Sequence, residues 1–239
     1  MDGMEPGEAS TRWGTYHERH TSLPGVVAWT RVAAGHEARI LPDGGTDLIW
    51  ADGRLMVAGP DTRAHLAEER PGLEYVGIRF AAGIGPSVLG LPADELRDGR
   101  IPLAAVWGDA AATPLVEQLS ASATPGRVLE SVVRARLRDR PPSRAMLEVA
   151  RLLRSGATVA RVAEAVGVSD RQLRRRCADA FGYGPKVLAR IYRLQRAVAM
   201  AGRGLPLVEA TLRAGYADQS HLAHDVRALA GVPLRTLIR

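Results

Sequence analysis

Two segments near the C-terminal end of the chain repeat one pattern, and this repeat restricts the fold more than any other feature of the sequence. The segments cover residues 159–185 and 207–233. Each has a short amphipathic stretch, a glycine followed by an apolar residue, and a capping residue that starts a second amphipathic stretch. Glycine permits the sharp turn, and the cap accepts hydrogen bonds from the free N–H groups of the next helix, so the repeat predicts two helix-turn-helix units. The glycine, apolar residue and cap are Gly167, Val168 and Ser169 in the first unit, and Gly215, Tyr216 and Asp218 in the second.

The second helix of the first unit is predicted to read DNA. It places Arg171, Arg174 and Arg175 on one stripe, while Leu173 and Cys177 fall on the opposite face. Arginine pairs bidentately with guanine in the major groove, and each good pair contributes about 1–3 kcal/mol of discrimination. The alternative is a solvated basic helix face. The candidate DNA-binding residues around this helix are Ser169, Arg171, Gln172, Arg174, Arg175 and Arg176, with Arg190 on the following helix; Arg176 and Arg190 are assigned to phosphate.

The corresponding helix of the second unit is less basic. Its candidate DNA-binding residues are Gln219, Ser220, His221 and His224, which can hydrogen-bond to bases or phosphates but carry little charge. Capping or packing is the alternative role for the two histidines. Their spacing would also suit a zinc pair, but no third ligand lies nearby in the sequence.

Charge is distributed unevenly along the chain. Residues 143–239 contain 17 Lys and Arg and 7 Asp and Glu, for a net charge of +10. The remaining residues contain 15 basic and 19 acidic side chains, for a net charge of −4. Lys186 is the only lysine, so codon usage explains part of the preference for arginine, but it does not explain the change of sign. The C-terminal block is therefore predicted to meet a polyanion such as double-stranded DNA.

The clearest break in the chain is Arg140-Pro141-Pro142-Ser143, where two prolines stop a helix and Ser143 can cap the next. We place a domain boundary there, between a sensor or dimerisation domain at 1–142 and a DNA-binding domain at 143–239. The predicted class is α+β: an antiparallel β sandwich or barrel with helices, followed by an all-α domain. Strands are predicted at Gly25–Ala33, His36–Leu41, Thr46–Trp50, Arg54–Ala58 and Glu74–Phe80, after an irregular start. Helices are predicted at Ala111–Ala121, Arg127–Arg138, Arg144–Arg154, Val159–Val166, Asp170–Ala180, Pro185–Ala201, Leu207–Ala214, Gln219–Ala230 and Leu234–Arg239.

The predicted helix Pro185–Ala201 connects the two units. Its 17 residues correspond to roughly 25 Å. With the bulk of the flanking units, this length could place the two recognition helices in successive major grooves, about 34 Å apart.

The last hundred residues resemble the DNA-binding domain of the AraC family of bacterial transcription regulators. The matching stretches are GVSDRQLRRRC and GYADQSHLAHDVRALAGVPL, and the paired units with a connecting helix make the resemblance specific. Cys177 and Val226 stand where the family usually has phenylalanine, and His224 where arginine is frequent. The resemblance implies a sequence-specific regulator that binds DNA and can contact RNA polymerase.

The N-terminal half resembles the cupin-like sensor domain of a poorly characterised branch of this family. The matching stretches are LPDGGTDLIW, VAGPDTRA, VGIRFAAG and LRDGRIPLAAVWG. The resemblance implies a small-molecule effector without naming it. Asp47, Trp50, Arg63 and Arg79 are the candidate ligand-binding residues, and the alternative is structural, with Asp47 capping a turn, Trp50 in the core and Arg79 in a surface pair.

Enzyme functions are the alternatives from another class, and we predict no catalytic residue, cofactor or metal. A metal-dependent cupin needs clustered histidines, but His17, His20, His36 and His65 are scattered. A DNA-repair methyl acceptor with an AraC-type domain needs a four-cysteine zinc cluster, and the chain has one cysteine, Cys177. A third alternative is an interaction protein whose helix-turn-helix units no longer bind DNA.

Location and assembly are further expectations. The N-terminal residues lack the basic start and apolar stretch of a signal peptide, and no apolar run is long enough to span a bilayer, so we expect a cytoplasmic protein without a membrane partner. The predicted helices between 111 and 138 have apolar faces that need cover. They are expected to form a homodimer interface or, alternatively, to pack on the sheet of their own domain.

Overall fold

A computed structural model describes residues 9–11 and 14–238. Its N-terminal part is a seven-stranded antiparallel sheet in the order β1-β2-β3-β8-β5-β6-β9, accompanied by a two-stranded sheet of β4 and β7. The strands are β1 Ala9–Thr11, β2 Gly14–His20, β3 Val26–Ala33, β4 Ala38–Ile40, β5 Thr46–Ala51, β6 Arg54–Ala58, β7 His65–Ala67, β8 Glu74–Phe80 and β9 Arg100–Pro102.

Helices predominate after β8, with β9 the one further strand in the described part of the chain. They are α1 Gly85–Leu89, a 3-10 turn at Ala93–Glu95, α2 Leu103–Trp107, α3 Asp109–Ser120, α4 Pro125–Asp139, α5 Arg144–Arg154, α6 Val159–Ala165, α7 Asp170–Phe181, α8 Pro185–Gly202, α9 Leu207–Ala214, α10 Gln219–Ala230 and α11 Leu234–Leu237. The predicted α+β class, an antiparallel β-sheet region followed by an all-α domain, is confirmed. None of the helices within the described ranges is long and apolar enough to cross a membrane.

The two faces of the large sheet have different surroundings. Leu48, Ile78 and Phe80 point to one face and are fully buried beneath α1, α3 and α4. Alternation along the strands sends Asp47 and Arg79 to the other face, where β4 also contributes Ile40 to a cavity. The sheet therefore has one face in the hydrophobic core and one face that lines a cavity.

The predicted dimer surface on α3 and α4 is wrong, because these helices cover the sheet of their own domain. Leu119 is 1% exposed, and Leu129 and Val133 are completely buried against strand residues such as Val26. Burial of each such side chain contributes about 1.5–3 kcal/mol, which explains why the apolar faces turn inward. The structure therefore supports the alternative prediction, in which these helices pack on the sheet of their own domain.

The irregular start predicted for the chain is also wrong, since residues 14–20 form β2. This strand pairs along its whole length with β3, from Gly14 opposite Ala33 to His20 opposite Val27. Its side chains are mostly exposed and polar, so the alternation that reveals a half-buried strand is missing from the sequence.

Candidate DNA-binding surface and ligand cavity

The first recognition helix, α7, begins as its sequence predicts. Ser169 is the N-cap: its Oγ accepts a hydrogen bond from Gln172 N at 3.3 Å, and Gln172 Oε1 accepts one from Ser169 N at 3.0 Å. This capping box satisfies free N–H groups at the helix start. Both side chains were candidates for DNA contact, and the structure places both of them in the cap.

The arginines of α7 lie on its exposed side. Arg171, Arg174, Arg175 and Arg176 are exposed, and within the described part of the chain none of the four forms an ion pair. The opposite side is buried, and burial raises the pKa of the Cys177 thiol to about 12. A thiol with this pKa is protonated at neutral pH and is therefore a poor nucleophile. Cys177 is a side chain of the hydrophobic core.

The second recognition helix, α10, is capped by Asp218, whose Oδ1 accepts a hydrogen bond from His221 N at 2.8 Å. Gln219, Ser220, His221 and His224 are exposed. The His221 ring meets the edge of Tyr216 at a centroid distance of 5.1 Å, so this histidine also packs against the turn. No group of three His, Cys, Asp or Glu side chains that could hold a metal ion occurs among the residues described.

Arg190, which we predicted to bind phosphate, forms an ion pair with a carboxylate of its own chain. Its Nε donates to Asp225 Oδ1 at 2.8 Å, and Arg193 Nη2 donates to Asp225 Oδ2 at 3.0 Å. Asp225 is 4% exposed, and the Arg193 guanidinium lies 4.5 Å from the ring centroid of Tyr216. Two arginines of the connecting helix thus hold α10 through one buried carboxylate. Asp225 was not among the predicted site residues, because no local pattern in the sequence pairs it with residues more than thirty positions away.

A basic groove runs between the two units, lined by parts of α8, the turn before α6 and the end of α9. Arg196 crosses it, with Nη1 donating to Arg154 O at 2.7 Å and Nη2 donating to Ala214 O at 3.2 Å. These bonds join the C-terminal ends of α5 and α9. The cationic side chains of the groove are Lys186, Arg190, Arg193, Arg196 and Arg213.

The cavity of the N-terminal domain has a volume of about 100 Å³. Asp47 and Arg79 face each other across β5 and β8, and Arg79 Nε donates to Asp47 Oδ1 at 3.2 Å. Trp29 Nε1 donates to the same oxygen at 2.7 Å. Burial raises the pKa of Asp47, and the Arg79 guanidinium opposes that rise. A Cβ at Gly77 would lie 2.2 Å from Trp29 Cε2, so glycine is needed beneath this ring.

A second ion pair lies at the edge of the cavity. Arg100 donates through Nη1 and Nη2 to the two oxygens of Asp61, at 2.9 and 2.7 Å. Arg31, which also lines the cavity, pairs with Glu69. Each cavity arginine therefore has a carboxylate partner, and the wall presents fixed charges of both signs.

The structure brings together two of the four predicted ligand-binding residues. Asp47 and Arg79 line the cavity. Trp50 lies on the opposite face of the sheet and packs against the hydrophobic core between the sheet and α1, α3 and α4. Arg63 is exposed and does not line the cavity. Both are corrections to our prediction: strand alternation turns Trp50 away, since it is three residues from Asp47. Cavity residues that the sequence analysis missed are Tyr16, Trp29, Arg31, Asp43, Asp61 and Arg100.

Comparisons with known proteins give two family matches. Residues 162–239 match a family described as a helix-turn-helix domain, and residues 26–102 match a domain of unknown function. No curated protein matches the chain.

Several solved structures are similar to the chain, and those named here are of ToxT from Vibrio cholerae. An apo variant is 8% identical, with 92% of this chain and 98% of that chain covered and a TM-score of 0.48. A second structure is 9% identical, covers 89% of this chain and 96% of that chain, and has a TM-score of 0.46. Wild-type ToxT with a bound unsaturated fatty acid is 10% identical, with 89% of this chain and 94% of that chain covered and a TM-score of 0.45.

Proposed function

We propose that this chain, a regulator with an AraC-type DNA-binding domain at its C-terminal end, reads specific DNA sequences through α7 and α10 and adjusts that binding to a small molecule held in its N-terminal cavity. The observation that carries the proposal is the pair of capped helices at corresponding positions of two similar units. Each buries one side in a common core and exposes polar side chains on the other. The AraC-type domain was predicted from the sequence, and the helix-turn-helix match over residues 162–239 confirms it.

The proposed DNA contacts follow from the exposed side of each helix. Arg171, Arg174 and Arg175 are proposed to read base edges from the N-terminal turns of α7, and the polar residues of α10 to do so in the next groove. The connecting helix α8 has 18 residues, or roughly 27 Å, which suits grooves about 34 Å apart once the width of each unit is added. Arg176 and the basic groove are proposed to bind phosphate.

The proposed effector is a small polar molecule. The cavity combines the Trp29 and Tyr16 rings with three arginines and three aspartates, and its arginines already have carboxylate partners. A ligand with both donor and acceptor groups can insert between such pairs and satisfy each of them. A ligand with a single charge would leave one partner unpaired, which is costly in a buried site.

Several further expectations belong to this proposal. We propose that the chain is a regulator without enzymatic activity, that it acts in the cytoplasm, where bacterial DNA lies, and that it can contact RNA polymerase. A homodimer also remains a prediction, through a surface other than the buried faces of α3 and α4.

The test uses the full-length chain and a library of random duplex DNA. Bound sequences are recovered and sequenced, and we expect one enriched motif with two half-sites, whose affinity falls steeply with salt because phosphate binding releases counterions. Arg174→Ala and Arg175→Ala should relax the preference at particular positions, by about 1–3 kcal/mol each. Arg138→Ala, a similarly exposed arginine of the N-terminal domain, is the control. Failure to enrich any sequence, or an affinity that does not change with salt, contradicts the proposed function.

A further inference from the structure

The C-terminal ends of both recognition helices touch the N-terminal domain. Arg39 Nη1 donates to Ala230 O, at the end of α10, at 2.8 Å. Arg97 Nη1 donates to Gly182 O, just after α7, at 3.2 Å. The last carbonyl groups of a helix lack partners within it and carry the negative end of the helix dipole, so an arginine is well suited to both positions.

Each helix end also has a second contact with the same domain. Gly182, at φ +82°, packs so closely on the loop after β6 that a Cβ would lie 2.6 Å from Pro60 Cγ. Ala64 N donates to Leu229 O, near the end of α10, at 2.6 Å. In addition to these charged hydrogen bonds, α10 is held by the backbone hydrogen bond from Ala64, and α7 packs on Pro60, on the 3-10 turn at Ala93–Glu95 and on α1.

The remaining connection between the two units is the helix α8. The main contacts of α7 within the DNA-binding domain are with α5, α6 and α8, and those of α10 are with α8, α9 and α11. The relative position of the two helices is thus set by α8, with the Arg196 bridge on one side and the N-terminal domain on the other.

We propose that the N-terminal domain is a clamp that fixes the separation of the two recognition helices, with Arg39 and Arg97 as positioning residues. The clamp holds the C-terminal ends, so it leaves the N-terminal turns of α7 and α10 free to enter the DNA. Its role in DNA recognition rests on the proposed function; the clamp as a structural device does not.

The clamp shares its chain segments with the cavity. Arg39 is followed directly by Ile40, Leu41, Pro42 and Asp43, which line the cavity, and Pro42 O accepts a hydrogen bond from Gln195 Nε2 of α8 at 2.6 Å. Arg97 is three residues from Arg100, and Pro60 is next to Asp61. A displacement of the Asp61–Arg100 pair would therefore move the segments that hold α7.

The first experiment measures the clamp without DNA. Spin labels are attached to the exposed positions Asp179→Cys in α7 and Ala228→Cys in α10 of the full chain, while Cys177 is fully buried and stays unlabelled. We expect one narrow distance distribution in the parent. The double variant Arg39→Ala/Arg97→Ala should broaden it, because each lost charged hydrogen bond shifts the local equilibrium by roughly tenfold.

Matched variants separate positioning from folding. Arg39→Lys/Arg97→Lys keeps both cations and should restore most of the narrow distribution. Arg54→Ala removes an exposed arginine of the same domain and should leave the distribution unchanged. Thermal unfolding of every variant checks that the chain remains folded. An unchanged distance distribution in a folded double alanine variant overturns the proposal.

The second experiment uses the DNA site selected by the parent chain. One or two base pairs are inserted between the half-sites, and the affinity ratio between the original and lengthened sites is measured. The clamp variants should reduce that ratio by roughly tenfold. An unchanged ratio overturns the role of the clamp in DNA recognition. Failure of the parent to select any DNA contradicts the proposed function instead, and the spin-label distances still decide the clamp.

Discussion

Asp225 offers the sharpest test of how the connecting helix holds the second recognition helix. The substitution Asp225→Asn keeps the shape of the side chain and removes its charge. The carboxylate accepts hydrogen bonds from Arg190 Nε at 2.8 Å and Arg193 Nη2 at 3.0 Å, while its own side chain is 5% exposed. The variant would leave two guanidinium groups facing a neutral amide, and the NH2 group of that amide cannot accept a hydrogen bond from either of them.

The magnitude follows from the burial of the three side chains. Breaking a fully buried ion pair costs about 3–5 kcal/mol, because the remaining charge has no partner. The side chains of Arg190 and Arg193 are 34% and 27% exposed, so water can solvate part of each guanidinium. Asparagine also keeps one carbonyl oxygen. We therefore expect the free energy of unfolding to fall by about 2 kcal/mol, near the contribution of one hydrogen bond to a charged group.

Urea denaturation of the full chain measures this loss. The midpoint should fall without a change in the slope, since the surface exposed on unfolding stays the same. Asp179→Asn is the matched control: it removes an exposed carboxylate from α7 and should change the free energy of unfolding by no more than about 0.5 kcal/mol. Arg190→Ala/Asp225→Asn should be less destabilised than the sum of its single variants, because the two residues contact each other. Additive losses, or a loss as small as that of the control, would refute the reasoning.

Three further predictions concern single side chains. Gly182→Ala should lower the free energy of unfolding by more than about 1 kcal/mol, because φ is +82° and the new Cβ would meet Pro60, whereas Gly202→Ala at an open helical position should be neutral or stabilising in the same urea titration. Cys177 should react with a maleimide only after unfolding, since burial raises its thiol pKa to about 12; rapid labelling of the folded chain at pH 7.5 would contradict its burial. Burial and a nearby guanidinium lower the pKa of His65, so its contribution to stability is present above its ordinary pKa of 6.5 and is lost as pH falls through the lowered value. His65→Asn should therefore weaken the fall in stability between pH 7.5 and 5.5, and an identical pH dependence in the variant would exclude this histidine as the cause.

Local signals explain what could be predicted from the sequence. Ser169 and Asp218 cap their helices because each satisfies N–H groups within three residues, and Gly215 adopts φ +92° where the chain turns. Such features depend on neighbours in the sequence, and they place the start of α7 and of α10 to the residue. The outward stripe of Arg171, Arg174 and Arg175 follows from helical periodicity in the same way.

Long-range pairing explains what could not be predicted. Alternation along the predicted strand Thr46–Trp50 already places Asp47 and Trp50 on opposite faces, but only the pairing of β5 with its neighbours decides which of the two faces the cavity. Arg100 reaches the cavity from a strand of three residues, too short for a periodic signal. Arg39 and Arg97 act on helices that begin more than seventy residues later, and no local pattern indicates that they do.

Long-range pairing also decides which charges of the DNA-binding domain are available to DNA, and the sequence does not indicate it. The net charge of +10 over residues 143–239 counts every arginine equally. Arg190 and Arg193 are bound to Asp225, and Arg196 is bound to two backbone carbonyls. A guanidinium fixed in this way can still face DNA, but it can neutralise a phosphate only in the direction that its partner leaves open. The exposed arginines of α7, which form no ion pair in the described part of the chain, have no such restriction. Among these outward arginines, Arg176 is the one proposed to bind phosphate. It should therefore contribute more to the salt dependence of DNA binding than Arg190 or Arg193, since the slope counts neutralised phosphates and not the charges of the domain.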